Sequence, residues 1–363
     1  MEGVLCYNLC MVYLDNAATV PILESVRDAM HEAEEKYFAN ASALHTPGHM
    51  AEMRIEECRR TLARLINAEP DEIIFTSGAS ESNNTVLHTF EGCEIETSPI
   101  EHHSVIEAGK VYRGEGKPKL YSYMLVNNEI GEILEYPEIH DGEYLHSDLT
   151  QALGKIPIDV RKMGLDYATF SAHKIGGPIG VGALYVRRGA PFRSLIIGGN
   201  QENKRRGGTY NTVGIIGFLT ALKNVEEKKT WEKYDHEVRE LRDTLANRII
   251  KEIRGSSLNT DLGRGKSLPN ILNVSFAAAE GESIQLYLDA EGIIVSTGSA
   301  CAAGDIRPSH VLMAKTGDAE VAHSSIRFSF GLNNTMDDVN KVMKVLPGII
   351  ELLQGMSTIS LKS

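Results

Sequence analysis

The spacing of hydrophobic positions along the chain changes near residue 230. Before that point, short apolar runs alternate with helical patterns and glycine-containing turns. The clearest strand-like runs are Glu72–Thr76, Leu120–Val126 and Val181–Val186. Alternating strands and helices are typical of an α/β domain with a mostly parallel sheet. The pattern therefore predicts a large α/β domain over residues 15–230.

After residue 230 a long amphipathic helix comes first, with an apolar stripe from Val238 to Ile253. Further strand-like runs follow at residues 270–276, 292–296 and 325–329. They are interleaved with helices, which is typical of an α+β arrangement. A smaller α+β domain, made of residues 1–14 and 231–363, is therefore predicted.

Two helices carry more specific predictions. The helix that ends before Pro70 places Cys58 on its apolar face, so Cys58 is expected to be a small core residue. The last helix is expected to begin near Thr335, with Asp338 completing a capping-box pattern. Pro347 lies within that helix and is expected to kink or interrupt it.

Composition narrows the class of protein. The 363 residues are 42% hydrophobic and 24% charged, which is ordinary for a globular chain. A net charge of −12 repels nucleic acid, so no direct nucleic-acid partner is expected. No stretch has the length of a membrane-spanning helix, and no membrane partner is expected.

The five cysteines are odd in number and scattered, which favours a reducing compartment, the cytoplasm. Residues 1–10 lack the basic and long apolar regions of a signal peptide. Met11 is an alternative start.

The most informative turn is Ser171–Lys174, with the sequence S-A-H-K between an apolar run and the glycine cluster Ile175–Gly177. Asp148 ends an earlier apolar run. Pyridoxal 5'-phosphate (PLP) requires a lysine for its aldehyde and a carboxylate that keeps its pyridinium nitrogen protonated. Taken alone, Lys174 would more often be a solvated loop lysine, so the assignment depends on the other motifs.

A phosphate site is predicted at Thr76–Ser80, which follows a strand and precedes a helix expected to begin near Glu81. Backbone amides at a helix start, a glycine and hydroxyl groups together suit a phosphate. The alternative is an ordinary Ser/Thr helix cap.

Two polar turns are further candidates. His102 or His103 would be able to stack on a cofactor ring and pass protons near neutral pH. The pair would also suit a metal, but no partner stands at a recognised ligand spacing, so no metal is predicted. Asn127 and Asn128 end a strand, where an amide would donate to a ring oxygen or form an asparagine-rich turn.

Cys301 lies near the centre of a loop of small residues, Ser296–Gly304. Such a loop is expected to be mobile, and an accessible thiolate is reactive. The alternative for a lone cysteine is an inert buried thiol. Arg327 interrupts a strand pattern and is expected to pair with a carboxylate of the protein or of a substrate.

These motifs follow one another in a recognisable order. They are YLDNAAT at 13–19, FTSGASESNN at 75–84, EH at 101–102, VNNEIG at 126–131, DxxQ at 148–151, SAHK at 171–174 and STGSAC at 296–301. The series resembles the cysteine desulfurases, PLP-dependent transferases of fold type I in the class V aminotransferase family. The cysteine loop is similar to that of the branch serving iron–sulfur assembly and nitrogenase maturation. The resemblance runs from about residue 11 to about residue 355.

The resemblance implies roles for single residues. Lys174 binds the cofactor covalently and then acts as a base, Asp148 pairs with the pyridine nitrogen, and His102 stacks on the ring. The other implied cofactor contacts are Asn128 and Gln151 at the ring oxygen, and Ala79, Ser80, Ser171, His173 and Thr209 at the phosphate. Thr209 would come from the other subunit of a homodimer, and Arg327 with Asn128 would bind the substrate.

The implied reaction converts L-cysteine to L-alanine and leaves a persulfide on Cys301. A sulfur-acceptor protein, such as an iron–sulfur scaffold or a tRNA-thiolating enzyme, would then take the sulfur. Ser80 replaces the usual threonine of the family but keeps a hydroxyl. Segments 103–126 and 132–147 are shorter than in the family, so a strand and parts of helices are expected to be absent.

Two other functions remain open at this point. A selenocysteine lyase or other β-eliminating lyase would share the fold, but selenide release can proceed without Cys301. A catalytically silent scaffold of sulfur transfer is the other alternative. The joint presence of Lys174, Asp148, His102 and Cys301 argues against a silent scaffold, because loss of function would be expected to remove at least one of them.

Overall fold

The computed structural model describes residues 11–297 and 308–357, which fall into two compact units. The large unit comprises Thr19–Val126 and Leu134–Trp231. The small unit comprises the chain up to Ala18, Asn127–Ile133 and the chain from Glu232 onward.

The strands are short. In chain order they are β1 (Val12–Tyr13), β2 (Ile73–Thr76), β3 (Cys93–Thr97), β4 (Gly116–Ser122), β5 (Tyr144–Asp148), β6 (Tyr167–Ser171), β7 (Gly182–Val186), β8 (Ser256–Leu258), β9 (Ile271–Phe276), β10 (Ile293–Ile294) and β11 (Ser325–Ser329).

The helices are α1 (Glu24–Lys36), α2 (Thr46–Ile66), α3 (Ala79–Thr89), α4 (His103–Tyr112), α5 (Thr212–Lys228), α6 (Thr230–Lys233), α7 (Arg239–Glu252), α8 (Gly281–Ala290), α9 (His310–Thr316), α10 (Ala319–His323) and α11 (Met336–Met356). A short 3-10 helix, Ala172–Ile175, follows β6, and a π-helical turn, Tyr234–Val238, precedes α7. Within residues 11–297 and 308–357, no helix combines the length and apolar character needed to cross a bilayer.

The large unit is built on a six-stranded sheet with the spatial order β2-β7-β6-β5-β4-β3. Only β7 runs antiparallel to its neighbours. The carboxyl ends of the other five strands therefore lie at one edge. Strands β6 and β7 are buried along their whole length, as expected where helices cover both faces of a sheet. The mostly parallel α/β sheet predicted from the apolar pattern is confirmed.

The connection from β4 to β5 has no crossover helix. Residues 123–143 contain neither a helix nor a strand, and Asn127–Ile133 within them belong to the small unit. Parallel neighbours are usually joined through a helix. This connection includes one of the stretches for which the sequence predicts shortening relative to the family.

The small unit combines a three-stranded antiparallel sheet, in the order β11-β9-β8, with the parallel pair β1-β10. Its core is formed by apolar residues of α7, α8, α11 and these strands. This is the predicted α+β arrangement.

Helix α11 has the predicted start. Both hydrogen bonds of the predicted capping box between Thr335 and Asp338 are present. Of the two effects expected of Pro347, a kink or an interruption, the interruption does not occur, because α11 continues to Met356. Buried residues on both sides of the proline, including Val342 and Ile350, stabilise the helix across it. In α2, Cys58 is fully buried, as predicted.

Two strand boundaries differ from the apolar runs that predicted them. Strand β4 begins at Gly116, four residues before the predicted run, and ends at Ser122. Beyond Ser122 the Met124 amide donates to the carboxylate of Glu101, while the Tyr123 amide still donates to the His146 oxygen of β5. The run at 292–296 forms only the two-residue strand β10.

A pair of Gly→Ala substitutions tests the packing at the carboxyl edge of the sheet. A Cβ on Gly182 would lie 2.6 Å from the Gly78 Cα and 2.6 Å from the Phe170 oxygen. We expect Gly182→Ala to lower the free energy of unfolding by about 1–3 kcal/mol through overpacking. At Gly109, inside α4, the nearest atom would be 3.8 Å away, at Thr97. Gly109→Ala should therefore raise the free energy of unfolding, by up to about 1 kcal/mol.

Urea denaturation of the two variants measures both changes. Equal and small effects of the two substitutions would contradict the close approach of Gly78 to β7.

Candidate active site

Most of the predicted cofactor residues lie after the carboxyl ends of the parallel strands of the large unit. They are Ala79 and Ser80 after β2, His102 after β3, Asp148 and Gln151 at the end of β5, and Ser171, His173 and Lys174 at the end of β6. The register aligns these ends, because Asp148 pairs with Thr169 and Gly182 pairs with both Ser171 and Thr76. Open α/β sheets bind their ligands at this edge.

Asp148 is a buried carboxylate, with 6% of its surface exposed. Its Oδ1 accepts a hydrogen bond from the Thr150 amide at 2.9 Å, and its Oδ2 accepts one from Asn83 Nδ2 at 2.9 Å. None of the ion pairs formed within residues 11–297 and 308–357 involves Asp148. A buried anion without a cation is unfavourable, and a protonated pyridine nitrogen would supply the missing positive charge. The site therefore fits the ring of PLP.

The loop before α3 is shaped for a phosphate. Its N-cap residue is Gly78, with φ 153° and ψ −178°, a conformation that essentially only glycine adopts. Gly78 makes no side-chain cap, so the alternative of an ordinary Ser/Thr cap is wrong. The first backbone amides of α3, with the Ser80 hydroxyl in the first turn, form the kind of helix start that binds phosphate.

A basic cluster lies at the end of β6. Lys155 is 1% exposed, and its Nζ donates to the backbone oxygen of Gln151 at 3.1 Å. Burial, and then the charge of Lys174, lower the pKa of Lys155 to about 7. Burial lowers the pKa of His173 to about 4, with further contributions from Lys174 and Lys155. Because these basic groups disfavour each other's protonation, an anionic ligand here would be stabilised. The sequence alone did not identify Lys155, because the residues next to it in the chain do not indicate that it is buried.

His102 is the N-cap residue of α4. Its Nδ1 accepts a hydrogen bond from the Ser104 amide at 3.1 Å and lies 2.8 Å from the Ser104 hydroxyl. The preceding Glu101 is 1% exposed and accepts hydrogen bonds from the Met124 amide and the Ser98 hydroxyl. Burial raises the pKa of Glu101 to about 8.

Arg327 and Asn128 are brought together in the small unit. The Arg327 side chain is 4% exposed, and its Nη1 donates to the Asn128 backbone oxygen at 2.9 Å. Its Nη2 pairs with the Asp15 carboxylate at 2.7 Å. The carboxylate expected for Arg327 is thus found within the chain itself. The predicted asparagine turn is formed by Asn127, whose Oδ1 accepts the amides of Glu129 and Ile130.

Two predicted residues remain, Thr209 and Cys301. Thr209 is exposed and lines a cavity of about 220 Å³ in the large unit, together with Ser77 and Arg206. Arg206 is bound by Glu81 of α3, with contacts of 3.0 and 3.2 Å, a pair that sequence reasoning missed. Cys301 lies outside the described residues.

Known proteins share this fold and sequence over nearly the whole chain. The aminotransferase class-V family matches residues 12–116 and 113–342. A cysteine desulfurase IscS of Dictyoglomus turgidum is 41% identical over 95% of this chain and 96% of its own length. A cysteine desulfurase IscS 1 of Archaeoglobus fulgidus is 40% identical over 96% of this chain and 99% of its own. The solved structure of a NifS-like protein superposes with a TM-score of 0.83 at 34% identity, covering 94% of this chain and 100% of that chain.

The chain therefore belongs to the aminotransferase class-V family, whose fold type I it shares. Within this family it is a PLP-dependent cysteine desulfurase, as its similarity to these relatives shows. The alignment with the Dictyoglomus relative spans 384 positions, more than the 363 residues of this chain, so that relative carries segments that this chain lacks.

A pH-dependent stability measurement tests the burial of Glu101. The folded protein holds the Glu101 proton with a pKa of about 8, against 4.5 for an ordinary glutamate. The free energy of unfolding should therefore fall as pH rises from 4.5 to 8, because the folded state binds more protons in that window. Glu101→Gln removes this dependence, so the variant should gain stability relative to the wild type between pH 5 and pH 9.

Urea denaturation at the two pH values checks this expectation. Glu282→Gln, on the exposed surface of α8, controls for the loss of one charge. An unchanged stability difference between Glu101→Gln and wild type at pH 5 and pH 9 would show that Glu101 is ionised in the folded state.

Proposed function

We propose that the carboxyl edge of the large-unit sheet holds PLP, with Lys174 as the covalent attachment and Asp148 as the partner of the ring nitrogen. The observation that carries this assignment is the buried Asp148 carboxylate without a cationic partner among the described residues, at the same sheet edge as Lys174. The phosphate would lie against the first turn of α3, with Ala79 and Ser80, and near Ser171 and His173. When bound, PLP draws electrons from the substrate carbon next to the amino group.

Different side chains of the protein then carry out the proton transfers and the sulfur transfer. Lys174 would hold the cofactor, and its amine would take the proton from the α-carbon of the substrate and return one to that carbon when alanine forms. His102 stacks on the ring and passes protons, and Gln151 with Asn128 contacts the ring oxygen. The Cys301 thiolate forms an S–S bond to the substrate sulfur while the C–S bond breaks. The electron pair of that bond remains on carbon, which takes up a proton and leaves as the methyl group of alanine.

Arg327 is proposed to bind the substrate carboxylate, together with Asn128. Two of its nitrogen atoms are engaged by Asp15 and Asn128. The buried Nε has no hydrogen-bond partner among the described residues, and leaving such a donor unpaired costs about 1–3 kcal/mol. A carboxylate ligand would remove that penalty.

The decisive experiment combines an alanine assay with mass spectrometry after incubation with PLP and L-cysteine. We expect alanine, and one added sulfur on the peptide that contains Cys301. Lys174→Ala should lower the rate of alanine formation by roughly 10³-fold or more. Cys301→Ser should abolish the added sulfur, whereas Cys93→Ser, which removes a half-buried thiol of β3, should leave both products unchanged.

The outcomes separate the alternative functions. Alanine without sulfur on Cys301 would indicate a β-eliminating or selenocysteine lyase. Neither product, in protein that binds PLP, would indicate a silent scaffold.

We further propose that the enzyme is a homodimer through the large unit. Several large apolar side chains of this unit are exposed, among them Phe38 (75%), Leu44 (92%), Met53 (67%), Ile179 (78%) and Ile197 (88%). Exposed apolar clusters on a single chain indicate a protein interface. A cavity of about 470 Å³ is lined by residues of both the 41–56 and the 200–210 segments, so these parts of the surface are adjacent.

Thr209 is proposed to reach the phosphate of the other subunit, and mixed dimers test this role. A hybrid of Lys174→Ala and Thr209→Ala subunits contains one site with both residues intact only if Thr209 acts across the interface. Unfolding and refolding the two variants together should then restore alanine formation above that of either variant alone. Refolding each variant alone provides the control, and no gain in the mixture would place Thr209 in the site of its own subunit.

The sulfur acceptor is proposed to be an iron–sulfur scaffold or a tRNA-thiolating enzyme in the cytoplasm. A reducing compartment suits a reaction in which Cys301 must begin each cycle as a thiolate.

A further inference from the structure

Four polar side chains form a continuous chain of hydrogen bonds within the large unit. Asn83 Nδ2 lies 2.9 Å from Asp148 Oδ2 and 2.9 Å from the Ser104 Oγ. Ser104 Oγ in turn lies 2.8 Å from His102 Nδ1. Asn83 is fully buried on α3, so this contact is inside the fold rather than on its surface. The two ends of the chain are the residues proposed to contact the ring nitrogen and the ring face of PLP.

The chemistry of the groups fixes the direction of the two hydrogen bonds that Asn83 makes. An ionised carboxylate only accepts, so Asn83 must present its NH₂ group to Asp148. The same NH₂ group donates its second hydrogen to Ser104 Oγ. Because Ser104 Oγ accepts there, its own hydrogen is available for His102 Nδ1.

A second donor reaches the same histidine nitrogen. The Ser104 amide donates to His102 Nδ1 at 3.1 Å, which is the N-cap hydrogen bond of α4. Nδ1 therefore accepts two hydrogen bonds from one residue. A proton on Nδ1 would point at the Ser104 amide hydrogen and break the N-cap hydrogen bond, so the ring hydrogen belongs on Nε2 and the Ser104 hydroxyl donates to Nδ1.

The unpaired oxygen of the Asn83 amide supports a specific role for its NH₂ group. Its Oδ1 is buried and has no hydrogen-bond partner among the described residues. A buried acceptor left unpaired is destabilising. The asparagine at this position thus contributes the two hydrogen-bond donors of its NH₂ group, although its oxygen is left without a partner.

We propose that Asn83 and Ser104 are positioning residues that fix His102 as the Nε2–H tautomer and tie its ring to the carboxylate of Asp148. His102 then exchanges protons with the substrate only through Nε2, because Nδ1 is held by Ser104. The inference rests on the proposed function, since the roles of His102 and Asp148 toward the cofactor were assigned there.

The tautomer is measured directly by NMR of the holoenzyme labelled with ¹⁵N in its histidine rings. The His102 signals are assigned by their loss in His102→Gln. In the neutral form of the His102 ring we expect a pyridine-like Nδ1 and a pyrrole-like Nε2. A neutral ring that carries its hydrogen on Nδ1, or exchange between the two tautomers, would overturn the inference whatever the activity of the enzyme.

Variants then test the two positioning residues. Ser104→Ala removes the hydroxyl donor and keeps the amide, and Asn83→Ala removes the link to Asp148. Each should lower kcat roughly 10- to 100-fold, the effect of losing one hydrogen bond to a charged or reacting group, with little change in the KM for cysteine. Both should also shift the His102 nitrogen signals. Ser104→Thr, which restores a hydroxyl, should recover the signals and most of the rate.

Asn224→Ala is the matched control. Its amide also donates to a serine hydroxyl and to a backbone oxygen, at 3.0 Å each, but on α5 outside this network. It should leave the His102 signals and kcat unchanged. If Asn83→Ala fails to fold, Ser104→Ala decides the question alone.

A failure of the positioning role can be distinguished from a failure of the proposed desulfurase function. Wild-type signals and full activity in both Ser104→Ala and Asn83→Ala would overturn the positioning role while the desulfurase reaction stands. Absence of alanine from the wild-type enzyme would instead refute the proposed function, and the wild-type tautomer would still decide the geometric claim.

Discussion

The register between β5 and β6 is the constraint on which the candidate site depends. It sets Asp148 opposite Thr169, two residues before the end of β6, and so places the carboxylate beside the turn that carries Lys174. Successive residues of a strand point to opposite faces, so a slip of one residue would turn Asp148 away from Asn83. The strands are buried on both faces, which holds this register without help from the loops.

The same edge gathers charges that the folded chain does not neutralise by itself. Asp148 has no cation among the described residues, while Lys155 and His173 lie where burial opposes their protonation. Groups in such environments are common at functional sites. The large unit thus keeps an unfavourable distribution of charge that a ligand with a cationic ring and an anionic phosphate would offset. Binding of the cofactor should therefore stabilise this unit as well as equip it for reaction.

The alternation of apolar runs was sufficient to predict the α/β sheet, and the series of motifs was sufficient to predict the cofactor and the family through its resemblance to the cysteine desulfurases. The sequence did not reveal what each buried polar residue contacts. Asn83 stands inside the motif at 75–84 and Ser104 lies two residues after the EH motif, yet the contact between them joins two different helices. Lys155 and Glu101 look like solvated charges until the fold buries them. Pro347 shows the opposite case. Its local tendency to interrupt a helix is outweighed by the packing of the buried residues Val342 and Ile350.

The ion pair between Asp15 and Arg327 has a consequence for the order in which the molecule is made. It joins residues 312 positions apart, and β1 pairs with β10 over a similar span. A ribosome releases the whole large unit before it releases Arg327. The sheet that carries Lys174 can therefore fold during translation, whereas β1 of the small unit must stay unpaired until β10 has emerged. The emerging chain thus leaves the backbone groups of β1 open to other partners while the large unit folds, and a chaperone would be useful at that stage.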